Sequence, residues 1–293
     1  MNSASLYSWQ NSCIPVTDNG FSFSLSPSFS AYYGSTSEYV FEDGKRISEL
    51  KWDIKPFISP GISFCSSYMN FSVRGSYNQA LNEKSGVIKD YDWDSEGNWT
   101  NYSKHGETQN GSMFMDISAG YSFVINKTIS FCPSFGFRYA YLRFTAQNGQ
   151  LQYPPGSTPI KVYGTGIIYE QKYSIPYVGF STSALLPWCT VIFTANYSCI
   201  GRCDDKDEHI ERSIAFYDSI KHINYYNFGF HISRLISEKT NLSIGLNYNY
   251  IPLSKGDSYS VDLSSGTRTS TSSNSAGIRL ESFDFQTSIS IPL

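Results

Sequence analysis

The chain has 293 residues and a formal net charge of -3; with no basic excess and no nucleic-acid motif, its composition argues against nucleic acid as a partner. Charged residues make up 16%, against roughly a quarter in ordinary soluble proteins, while 23 Tyr and 20 Phe are used, a balance that suits a surface facing lipid. No run of about 18 apolar residues exists, which excludes a spanning helix and leaves a closed barrel as the membrane-crossing option.

Taken in chain order, the opening Met1-Asn2-Ser3-Ala4 lacks the charged and apolar regions of a signal peptide and is read as a mature start with an added Met. From there a period of two recurs: Phe21-Ser22-Phe23-Ser24-Leu25, Ile62-Ser63-Phe64, Ile117 through Tyr121 to Phe123, and Phe283-Asp284-Phe285 through Ile289 to Ile291. Apolar residues alternating with small polar ones predict strands, and no window carries a helical period. The chain reads as one all-β domain over residues 1–293, since no Pro- or Ser-rich linker divides it. Short turns are expected at Tyr68-Met69-Asn70, Ile125-Asn126-Lys127, Pro187-Trp188 and Ser237-Glu238-Lys239. Long polar loops are expected near 30–45, 81–112, 148–162, 202–214 and 256–276. Five long and four short connections imply ten strands, and that asymmetry is the pattern of an outer-membrane antiparallel β-barrel. A soluble barrel would instead turn its apolar face inward. Alternation does not say which face is which; low charge and loop asymmetry favour the membrane form. The last strand alternates but finishes Ile291-Pro292-Leu293 instead of on an aromatic residue.

Two acidic motifs stand out. Asp90-Tyr91-Asp92-Trp93-Asp94-Ser95 lies in the second polar stretch, and Cys203-Asp204-Asp205-Lys206-Asp207-Glu208-His209 in the fourth, on the same rim. In extended chain, residues i and i+2 share a face, so Asp90 pairs with Asp92 and Asp207 with His209. Histidine exchanges protons near neutral pH, and an adjacent carboxylate fixes its tautomer, so Asp207 and His209 make a base for water. Like charges on Asp90 and Asp92 would titrate as a unit and share one proton. Read without further information, both motifs also fit acidic turns facing solvent.

Other residues carry less. Ser103 and His105 suggest a nucleophile and base, but no spacing supplies a third, orienting residue. His222 and His231 fall on a predicted strand as wall or lumen residues. Cys13, Cys65, Cys132, Cys189, Cys199 and Cys203 are scattered without a C-x-x-C pair and read as small strand side chains. Cys199 and Cys203 are close enough to form a disulfide, and with His209 they imitate a zinc site in a spacing no standard site uses. No metal or cofactor is called for.

Eight segments taken in order resemble the omptin family of outer-membrane endopeptidases: Gly34-x-Thr36-x-Glu38-x-Val40, Leu50-Lys51-Trp52, Asp90-x-Asp92-Trp93, Trp99-Thr100-x-x-Ser103-x-His105, Pro176-Tyr177-x-Gly179, Asp205-x-Asp207-Glu208-His209, Asn224-Tyr225-Tyr226 and Ser275-Ala276-Gly277-Ile278. The resemblance implies a ten-stranded barrel whose strands extend beyond the membrane and carry a proteolytic groove. It implies that Asp90 and Asp92 face Asp207 and His209 across that groove, and that Glu38 and Asp205 form the acidic pocket for a basic side chain. Spacing after Trp93 is shorter than the family's, so Asp94 is left out of the site. Omptins need lipopolysaccharide for activity; two of its wall positions are here Tyr139 and Tyr141, while neighbouring basic positions keep Lys172 and Lys221.

The expectation is an outer-membrane endopeptidase, its site facing the exterior, that cuts cationic peptides or exposed proteins at Arg or Lys and contacts outer-membrane lipid. A non-catalytic adhesin or structural barrel would share the rim but tolerate Asp207→Asn or His209→Ala. A small pore is disfavoured because ten strands leave a lumen largely filled by side chains.

Overall fold

A computed structural model describes residues 21–81, 84–237 and 239–293; Cys13 and the opening segment lie outside them, as does Glu238 in the last expected short turn. The described residues form β1 (Phe21–Glu42), β2 (Lys45–Tyr68), β3 (Phe71–Gln79), β4 (Lys84–Trp93), β5 (Trp99–Gln109), β6 (Met113–Tyr121), β7 (Phe123–Val124), β8 (Ile129–Gln152), β9 (Ile160–Leu185), β10 (Thr190–His209), β11 (Ile214–Ser237), β12 (Thr240–Asp262), β13 (Arg268–Ser270) and β14 (Ala276–Pro292). Both β3 and β4 pair with β2, and both β5 and β6 with β8, so each couple is one stave broken near its middle. With β1, β2, β8, β9, β10, β11, β12 and β14 these make ten antiparallel staves. The ring closes because β1 pairs with β2 on one side and with β14 on the other.

The faces resolve what alternation left open. On β14, Phe283, Phe285, Ile289 and Ile291 are exposed while Ser282, Asp284 and Ser290 are buried; β11 repeats this with Phe228, Phe230 and Ile232 outside and Asn227 and Ser233 inside. Apolar side chains face out and polar ones in, as lipid outside requires. The inward side chains of this lower section are hydrogen-bonded to one another along the wall: Tyr177 donates to Asp116 Oδ1 (2.7 Å) and Asn196 to Asn227 Oδ1 (2.9 Å). Backbone polar groups are met by neighbouring strands all around, which removes the edges a membrane does not tolerate.

Above the lumen the inward positions turn apolar. Trp52, Ile54, Phe57, Ile88, Phe144, Tyr169, Tyr173 and Ile220 belong to one buried cluster that plugs the ring. Trp52 stacks on Tyr169 at 5.2 Å and on Phe144 at 5.7 Å between ring centroids. Trp52 reaches the inside through an irregularity: pairing with β1 skips between Tyr32↔Phe57 and Gly34↔Ile54, so β2 has an extra residue. That bulge switches the inward parity from Phe57 and Ser59 below to Ile54 and Trp52 above.

The long polar stretches expected as loops are mostly strand. β1 runs to a turn at Asp43-Gly44, β4 and β5 are joined by residues 94–98, β8 and β9 by 153–159, and β10 and β11 by 210–213. Beyond the lipid both faces of the wall meet water, so polar residues there no longer distinguish loop from strand. The acidic motifs consequently sit on strands paired on both sides.

Candidate functional site

Above the plug, β4 and β10 stand on opposite walls, with β5, β8 and β9 between them on the shorter arc. On β10 the inward positions are Cys203, Asp205, Asp207 and His209, the first three almost fully buried. His209 Nε2 lies 2.7 Å from Asp207 Oδ2, and the ring packs edge-on against Phe216 of β11 at 5.6 Å. The other nitrogen, Nδ1, is 2.6 Å from Nη2 of Arg212 in the following turn. A guanidinium only donates, so Nδ1 is the acceptor and the proton rides on Nε2, donated to Asp207.

Opposite, Asp90 and Asp92 share the inward face of β4. Asp90 pairs with Ser103 of β5, and Asp92 with Asn101, whose Nδ2 is 3.4 Å from Asp92 Oδ2. Burial, then the charges of Asp92 and Asp207, push the Asp90 carboxyl up to about 8. It is therefore protonated at neutral pH and is a hydrogen-bond donor, not a second anion. Both walls belong to one closed ring and turn these carboxyls to its inside, so Asp90 and Asp207 face one space. Ser103 and His105 do meet, with Oγ 3.1 Å from Nε2, and Ser103 stands directly across from Asp90 in the β4–β5 pairing. Ser103 thus lies between His105 and the Asp pair; burial lowers His105 from its ordinary range.

Glu38 on β1 is 3% exposed, held well above the usual carboxylate range by burial and by Asp207, Asp205, Asp218 and Asp90. Asp205, raised by burial and by the charge of Asp218, is fixed in place by a relay rising from the plug: Thr36 donates to Gln171 Oε1 (2.7 Å), Gln171 to the Tyr169 hydroxyl (2.7 Å), and Tyr169 to Asp205 Oδ2 (3.1 Å). All six acidic and basic positions singled out in the sequence, Glu38, Asp90, Asp92, Asp205, Asp207 and His209, thus line one mouth. The reading missed Arg212 and a further buried carboxyl, Asp218, directly across from Asp205 in the β10–β11 pairing. The signal that finds Asp218 is the register a tight hairpin imposes on two paired strands.

Other sequence candidates fall elsewhere. Asp94 accepts from the Glu96 and Asn98 amides at 2.9 and 2.8 Å and closes its own turn. Lys172 and Lys221 are on the outer wall: Lys172 is 3.7 Å from Glu170 and 5.9 Å from the Tyr141 ring, and Lys221 of β11 pairs across to Arg202 of β10, three strands along from Tyr141 on β8. Cys199 is exposed and Cys203 buried, both as free thiols, so the disulfide that their spacing allows is not formed. His231 is in the lumen, 3.1 Å from Asn247 Oδ1, and His222 is exposed on the wall.

The model of the Omptin family matches residues 19–291. Plasminogen activator of Yersinia pestis is 25% identical over 267 residues, covering 88% of this chain and 85% of that protein. Outer membrane protease OmpP of Escherichia coli is 24% identical over 283 residues, covering 87% and 84%. The crystal structure of outer membrane protease OmpT from Escherichia coli superposes with a TM-score of 0.87 at 21% identity, over 94% of this chain and 99% of that one, which shows the fold. The chain belongs to the omptin family and is an outer-membrane β-barrel.

Proposed function

We propose that this protein is an endopeptidase of the outer membrane that hydrolyses peptide bonds beside arginine or lysine, using water activated by His209 and Asp207. The observation that carries this reading is the Asp207–His209 couple, at 2.7 Å, facing a carboxyl that burial keeps protonated. The names of the relatives support the class of reaction.

Peptide hydrolysis needs a base, a stabiliser for the oxyanion and a proton for the leaving amine. Asp207 accepts the Nε2 proton of His209 and so leaves the Nδ1 lone pair for water. Arg212 yields Nδ1 to that water as substrate enters. The water gives one proton to Nδ1 and its oxygen bonds to the carbonyl carbon. The protonated Asp90 donates to the developing oxyanion. As the C–N bond breaks, His209 returns its proton to the amine nitrogen. Glu38 and Asp205 hold the basic side chain of the substrate, and no cofactor takes part. Lys172 and Lys221, on the outer wall, contact the phosphates of lipopolysaccharide.

The test is cleavage of a quenched fluorescent peptide with a central Arg-Arg by the folded protein in detergent, with and without lipopolysaccharide. Turnover falls by about 10²–10⁴ in His209→Ala. Equal turnover by that variant, or none by the intact folded protein, sinks the peptidase reading; equal rates without the lipid remove the lipid requirement.

A further inference from the structure

The pocket for the basic side chain has more acid in it than Glu38 and Asp205 supply. Asp218 of β11 stands directly opposite Asp205 of β10, and both are 5% exposed. Cross-strand neighbours on one face bring side chains within contact, and after burial the charge of Asp218 is the largest influence raising the Asp205 carboxyl. Asp205 is anchored by the Tyr169 hydroxyl, 3.1 Å away, and Asp218 is fixed opposite it by the β10–β11 pairing.

Their remaining valences are open. Asp205 Oδ1, Asp218 Oδ1 and Glu38 Oε2 are each buried without a hydrogen-bond donor. The cations nearest in sequence point outward: Arg202 pairs with Asp204 and Lys206 with Glu208. Among the described residues no ion pair reaches Glu38, Asp205 or Asp218. A buried acceptor left without a donor is costly, and three that converge call for one ligand rich in donors.

We propose that Asp218 is a specificity-determining residue: with Asp205 it forms a two-carboxyl fork that takes a guanidinium side by side and makes the pocket prefer arginine to lysine. A guanidinium presents planar, parallel N–H groups that match two adjacent acceptors, whereas an ammonium is a point charge with three donors on a rotor. Glu38, on the third side, meets the remaining N–H. Burial pushes Asp218 up to about 6, and a cation bound beside it favours its ionised form.

The inference rests on the peptidase reading for the identity of its occupant, and the test separates the two. Binding is measured by fluorescence anisotropy of labelled peptides on His209→Ala protein in detergent, with a central arginine, lysine or citrulline, the last an uncharged isostere of arginine. Asp218→Asn in that background weakens the arginine peptide about tenfold and the lysine peptide by no more than about threefold, leaving citrulline unchanged. Asp218→Glu restores part of the arginine preference and stands in if the asparagine variant fails to fold. An equal loss for arginine and lysine, or no loss, overturns the assignment. Turnover by the protein with His209 intact is the separate reading: absent turnover with arginine preference preserved sinks the peptidase and keeps the pocket, and the reverse pattern does the opposite.

Discussion

Asp90 is the residue whose state decides what the opposite wall does. It is protonated until about pH 8 because burial and the charge of Asp92 disfavour its anion, while Arg212 favours it. If the neutral form is the donor, activity falls as pH rises through about 8. Asp92→Asn removes a like charge, lowers the Asp90 value and moves that basic limb to lower pH; Arg212→Ala removes a counter-charge and moves it up. Profiles of kcat/KM against pH for the two variants show shifts of opposite sign, and shifts of the same sign would deny Asp90 the role. At this scale the sequence was most informative where i and i+2 chemistry is local, as in Asp207 with His209. It was silent on Asp218, because Tyr217-Asp218-Ser219 has no motif and acquires meaning only through the partner strand.

Strands were legible from alternation, and their number from counting turns, yet two things about them were not. Strand ends were set too low, because a polar residue on a wall above the lipid looks like a loop residue. Trp52 would face outward on a regular β2; the extra residue beside Gly34 turns it inward, and the bulge is written in no single side chain. Gly34 takes φ +153°, and a Cβ there would come 2.1 Å from the Glu281 carbonyl oxygen of β14, which is why glycine occupies the crossing of three staves. The plug that follows from this bulge holds Tyr169 by its ring, and Tyr169 holds Asp205. Trp52→Ala therefore costs about 3–5 kcal/mol, read as an earlier denaturant midpoint in detergent. The same variant raises KM for an arginine peptide more than it lowers kcat, since the disturbance reaches Asp205 before it reaches His209.

As a whole the molecule has three storeys: a polar lumen within the lipid band, an apolar plug, and a mouth in which acids outnumber cations. The carboxyls of Glu38, Asp90, Asp205 and Asp218 all lie above their ordinary range in the folded state, so folding takes up protons. Stability is then greatest in acid, below the ordinary carboxylate range, and is lost progressively as pH rises through these raised values, that of Asp90 at about 8. Thermal unfolding followed by circular dichroism checks this as a melting temperature that declines from pH 5 to 8. An arginine-containing peptide restores part of it at the upper end, by mass action on the folded form. A melting curve flat in pH would mean that water and ions already screen these groups.

Every residue assigned to the chemistry, Arg212 apart, is carried by a strand hydrogen-bonded to a neighbour on each side, and the turn at residues 210–213 is too short to fold over as a cover. A mouth so braced does not adjust itself to what arrives. The adjustment falls to the visiting polypeptide, which has to present an extended, mobile stretch. For a compact visitor, the pace of cutting is then governed by how often its own loops come loose, and its local stability matters more than its affinity.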